Sequence, residues 1–96
     1  MKYFHRTSVS LDQVLDGATR FFGATLAPVE EQPRRREFAG TIGRIGITVQ
    51  AEGGHYTLVT AETDQVAESE ADKLAKRFLT LVHTLAHPEH RPIGAY

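Results

Sequence analysis

The chain has no cysteine and no tryptophan, one methionine and four prolines in 96 residues. Without thiols there is no disulfide framework, no thiolate nucleophile and no cysteine-based zinc site. No apolar run approaches the roughly 20 residues of a helical membrane span. The opening Met1-Lys2-Tyr3-Phe4-His5-Arg6 lacks the apolar stretch of a secretory signal. These absences set an expectation of a cytoplasmic protein with no membrane partner. An excess of one charge is also missing: the net charge is −1. No bulk field draws nucleic acid to such a chain, and no nucleic-acid partner is expected. There is no phosphate-cradling loop, no nucleophile motif and no internal repeat. Catalysis has no specific support, and no cofactor is expected.

What is present is an order of elements within one domain over 1–96. Residues 2–9 are rich in aromatic and β-branched side chains and predict a first strand. Ser10 then has the character of an N-cap, with Gln13 as the return arm of a capping box. Leu11, Val14, Leu15, Ala18, Phe21 and Phe22 share one helical face. Gly23 is suited to end that helix in a left-handed conformation. Residues 24–33 carry Pro28 and Pro33, which restricts them to an edge strand or a loop. Strands follow over 34–39, about 42–51 and 56–62. A second amphipathic helix runs from Ser69 to about Ala86, with Pro88 beyond it and an irregular tail over 88–96.

The expected fold is therefore α+β, a two-layer sandwich in the order β-α-β-β-β-α. An antiparallel sheet of three to four strands carries both helices on one face. Gly53-Gly54 predicts a two-residue hairpin turn, because both positions tolerate positive φ. That register sets Ala51 opposite Tyr56 and Val49 opposite Leu58, on the face of Ile45 and Ile47. Gly46, Thr48, Gln50, Thr57 and Val59 then fall on the other face. The expected core is Val14, Leu15, Ala18, Phe22, Ile45, Ile47, Val49, Leu58, Leu74, Phe78, Val82 and Leu85.

Four groups of residues invite a chemical reading. The half-polar sheet face, with Arg44, Thr48, Gln50 and Thr57, fits a shallow ligand-binding surface to which Tyr56 at the hairpin can add. Arg34 and Arg36 share one side of a strand, and guanidinium forks bind phosphate and carboxylate bidentately. The simpler reading is a charged edge that resists strand-to-strand association. His83 and His87 are spaced i,i+4 on a helix, as two metal ligands can be, with Glu89 or His90 as a third. Thr84 stands where a metalloprotease helix has its glutamate, and imidazoles also suit a helix C-terminus for electrostatic reasons alone. A site built from His55, Tyr56 and Arg44 at a cleft between two subunits is the remaining, enzymatic alternative. Gly40, Gly43 and Gly46 precede a strand rather than a helix, so they mark a bend or a close approach, not a phosphate loop.

Three stretches also carry a family resemblance. They are Phe4-His-Arg-Thr-Ser-Val-Ser-Leu-Asp-Gln-Val-Leu15, Gly43-Arg-Ile-Gly-Ile-Thr-Val49 with its hairpin, and Phe78-Leu-Thr-Leu-Val82. Together they resemble a truncated helix-grip domain of the START/Bet v 1-like superfamily, which includes the polyketide cyclases. The resemblance implies binding of a small apolar or amphipathic molecule under the long helix. It implies no particular residues, and a chain this short would enclose a cavity only as a homodimer. A non-enzymatic ligand-binding or interaction module is thus the expectation. An accessory subunit bound to another protein is the alternative.

Overall fold

A computed structural model describes residues 1–87. The expected tail over 88–96, and with it Glu89 and His90, lies outside the described residues. The elements are β1 (Lys2–Thr7), α1 (Leu11–Gly23), β2 (Ala27–Gln32), β3 (Arg35–Gly40), β4 (Gly43–Glu52), β5 (Tyr56–Thr63) and α2 (Glu70–Ala86). The strands form one antiparallel sheet in the order β1-β5-β4-β3-β2. The fold is α+β, as expected, but it has five strands rather than three or four. The additional strand is β2. It accepts Pro28 because it lies at the sheet edge, and its pairing with β3 slips between Pro28 and Glu30.

Both helices cover one face. Ser10 caps α1 as expected: its hydroxyl accepts from the Gln13 amide at 3.2 Å, and the Gln13 side chain accepts from the Ser10 amide at 3.3 Å. The helix does not end on a left-handed glycine, since Ala24 caps it in right-handed geometry. The amides of Thr25 and Leu26 both turn back to the Phe22 carbonyl instead. Phe22 and Phe78 meet at the centre, with ring centroids 5.2 Å apart, and Phe22 also packs on Phe38. Ile45, Ile47, Val49, Val59 and Ala61 floor this core. Among the described residues no helix is long and apolar enough to cross a membrane.

The β4–β5 hairpin corrects the expected register. Glu52 pairs with Tyr56, Ala51 with Thr57 and Val49 with Val59. The loop therefore holds His55 as well as Gly53 and Gly54, both at positive φ. That one residue turns β5 over. Thr57 and Val59 face the core, while Leu58 moves to the open face, where it is only half-buried. Two other expected core residues also sit further out: Leu74 is half-buried and Leu85 is 49% exposed.

The glycine triplet is structural. A Cβ on Gly40 would meet Leu26 at 2.6 Å, and one on Gly46 would meet the Arg35 guanidinium at 2.4 Å. Gly43 has φ +125°, which turns the chain from β3 into β4. Each allows a close approach that a larger residue would block.

Candidate functional site

Antiparallel connectivity brings three separate turns to one end of the sheet. The β1–α1 junction, the β2–β3 turn and the β4–β5 loop meet there around an open cleft of about 570 Å³. Ser8, Ser10, Leu11 and Asp12 form one wall. Pro33 and Arg34 come from the second turn, and Ala51, Gly54, His55, Tyr56 and Thr57 from the hairpin. The first wall is tied to the sheet. The Thr57 hydroxyl donates to the Val9 carbonyl at 2.7 Å, and the Thr7 hydroxyl accepts from the Val9 amide at 3.2 Å. Arg34 is placed from the backbone, its carbonyl accepting from the Val49 amide at 2.9 Å. Its side chain is exposed at the mouth.

Tyr56 is half exposed and brings a phenol ring to the cleft wall. The Arg6 guanidinium lies 5.8 Å from its ring centroid and is ion-paired with Glu52. The ring therefore has a cation on one side, an attraction that orients it. Asp12 adds a carboxylate in the first turn of α1, so the polar rim carries both signs. Ser10 and Thr57 are committed to structural hydrogen bonds. Among the described residues no hydrogen bond joins His55 to a carboxylate.

Four residues singled out in the sequence for different reasons thus share this cleft: Arg34, His55, Tyr56 and Thr57. The remaining candidates lie elsewhere. Arg44, Thr48 and Gln50 stay on the open sheet face, away from the cleft lining. There Arg35 lies over Gly46 and holds the centre of an ion network. It reaches Glu37 at 2.8 Å, Glu30 at 3.3 Å, Glu62 at 3.6 Å and the Thr48 hydroxyl at 2.8 Å. Arg44 joins through Glu37 at 2.8 Å, so Arg44 and Thr48 serve the sheet's own charge balance. Arg36 does not fork with Arg34. It donates to the carbonyls of Gln32 and Arg35 and pairs with Glu31 at 3.7 Å.

His83, in the last turn of α2, and His87, the residue that caps it, have tilted rings with centroids 4.9 Å apart. They line a second cavity of about 310 Å³ with His5, Arg6 and Tyr56. Burial foremost, then the two neighbouring imidazoles, push His5 below the ordinary imidazole range. As the side chains stand, no three His, Asp or Glu groups among the described residues close around a metal position. The sequence gives no sign that His5 meets these two, because strand pairing alone brings it beside His83.

A buried carboxylate supports the other end of the molecule. Asp72 is fully buried, yet its carboxyl is held below the usual range. Desolvation opposes this, and the hydroxyls of Thr63 at 2.6 Å and Ser69 at 3.0 Å outweigh it. No protein-family model matches the chain, and no curated protein matches it.

Proposed function

We propose that the protein is a non-enzymatic module that binds a small amphipathic molecule in the cleft at the hairpin end of the sheet. The observation that carries this reading is the convergence of Arg34, His55 and Tyr56 from two separate turns on one ligand-sized opening. The apolar part of the ligand lies against Leu11, Pro33, Ala51 and the Tyr56 ring. Its head group meets Arg34, Asp12 and His55, so it both donates and accepts hydrogen bonds. Fully buried Phe22, Phe38 and Phe78 fill the space between helices and sheet. A ligand at the sheet end fits this packing better than one under the long helix. The strand order, with β1 beside β5 and α2 closing the layer, is compatible with a short helix-grip domain.

A thermal-shift panel of lipids and polar metabolites tests the reading. A member of the panel raises Tm of the wild type, and Tyr56→Ala abolishes that rise while keeping the circular dichroism of the fold. An equal rise in both proteins refutes the cleft as the site.

A second reading is favoured by the groove between the helices. Phe21, Thr25, Leu74, Arg77 and Leu81 line about 270 Å³ there, and Leu85 is half exposed nearby. Asp16 and Arg20 flank Leu85, giving a rim of both signs that a two-fold copy can match. In this reading the chain is a homodimer joined through its helices. Light scattering then gives a two-chain mass that Leu81→Glu reduces to one; a one-chain mass for the wild type excludes it.

A further inference from the structure

The two edges of the sheet differ. Strand β2 is guarded against further pairing: it contains Pro28, its register slips beside that residue, and Glu30 and Glu31 charge it. Strand β1 pairs with β5 in unbroken register from Lys2 to Thr7 and holds neither proline nor glycine. Its two cations are already matched, Lys2 by Glu62 and Arg6 by Glu52. The direction of its free backbone groups follows from its start. Met1 and Thr63 exchange both bonds: the Met1 nitrogen donates to the Thr63 carbonyl at 3.0 Å, and the Thr63 amide to the Met1 carbonyl at 2.9 Å. Bonded and non-bonded pairs alternate along an antiparallel ladder. Tyr3, His5 and Thr7 therefore turn their amides and carbonyls to β5, while Lys2, Phe4 and Arg6 turn theirs to the free edge. Phe4, the middle residue of these three, is 63% exposed.

We propose that β1 is an interface, pairing antiparallel with β1 of a second copy about a two-fold axis at Phe4. Two five-stranded sheets then become one continuous sheet. Symmetry selects this occupant. Positions 2, 4 and 6 are self-complementary about position 4: Phe4 meets Phe4 of the copy and Lys2 meets Arg6, so every outward amide and carbonyl on the strand is satisfied. A register displaced by two residues leaves outward groups unpaired. The faces agree as well. Lys2, Phe4 and Arg6 lie on the open face, and opposed residues of an antiparallel pair share a face. The two phenyl rings come side by side there, next to half-buried Leu58, which registers with Arg6. Lys2 and Arg6 of the copy meet as neutral units, because each brings its own glutamate. Helix α2 packs on both β5 and β1, so the same axis sets the two α2 helices alongside each other. The edge shares no residue with the cleft or with the groove at Leu81, and the proposal stands apart from both readings above.

Cross-linking tests the proposal cleanly, since the chain has no thiol of its own. A bonded antiparallel pair has Cα atoms about 5.5 Å apart, within the range a disulfide spans. Under mild oxidation at micromolar concentration, Phe4→Cys forms a linked dimer at least roughly tenfold faster than Val66→Cys, an exposed control away from the edge. Light scattering gives the wild type a two-chain mass. Phe4→Lys, which sets like charges on the axis, reduces it to one chain while keeping the circular dichroism of the fold, and Leu81→Glu leaves it unchanged. The amides of Phe4 and Arg6 exchange slowly with solvent in the wild type and quickly in Phe4→Lys. A one-chain mass for the wild type overturns the proposal and leaves the edge to a strand of another protein. Equal cross-linking at positions 4 and 66 overturns it too, as does a two-chain mass that survives Phe4→Lys, which puts the contact on another surface.

Discussion

At the residue scale, Arg35 and Gly46 are one unit. The guanidinium lies where a side chain at position 46 would be, and three carboxylates with the Thr48 hydroxyl hold it there. Gly46→Val must therefore displace a pinned group rather than a free one. It should cost about 1–3 kcal/mol in urea unfolding. Made in an Arg35→Ala background, the same change should cost much less, because the two residues share the space. An equal cost in both backgrounds would show that the guanidinium does not decide the choice of glycine. His5 sets a pH dependence at the same scale. Its folded pKa is lowered, by burial first and then by His83 and His87. The unfolded chain therefore takes the proton first as pH falls. The stability tied to His5 is complete above the ordinary imidazole value of about 6.5 and declines below it. In metal-free buffer the urea midpoint should fall between about pH 7.5 and about pH 5.5. His5→Leu should fall less over the same interval, whereas an identical slope would remove His5 from the account.

At the element scale, α1 shows what local sequence carries and β5 shows what it does not. Ser10 and Gln13 announce the helix start because both partners of the cap lie within one turn, and the apolar spacing after them sets the buried face. The same logic gives α2 its N-cap at Ser69. Gly53-Gly54 marks a turn equally clearly, but nothing local shows that His55 belongs to the loop. With a period of two, that single residue exchanges Leu58 for Val59 in the core. Strand β2 was ambiguous because Pro28 is excluded from a central strand and tolerated at an edge, and only pairing decides which applies. Helix α2 is secured by Phe78, fully buried against Phe21 and Phe22. Phe78→Ala should cost about 3–5 kcal/mol in urea unfolding. That is a large share of the stability of a domain this small, and a loss below about 1 kcal/mol would mean the aromatic centre is misplaced.

At the scale of the whole molecule, the proposed site rests on what topology assembles. The cleft draws on residues 8–12, 33–34 and 51–57, which meet only because consecutive antiparallel strands return their turns to one end. Arg34, His55, Tyr56 and Thr57 could be picked out singly, but their meeting was not legible without the sheet order. Thr57 illustrates the difference: it borders the cleft, yet its hydroxyl is taken by Val9. The open sheet face is the converse case. Arg44 and Thr48 looked available in sequence and are occupied by the network around Arg35. The cleft is proposed to hold a small molecule. Native mass spectrometry of freshly purified, tag-free protein tests it most directly. The wild type should carry one small organic molecule per chain, and Tyr56→Ala should fly as the bare chain. A bare wild-type chain, or a molecule retained equally by the Tyr56→Ala variant, would contradict it.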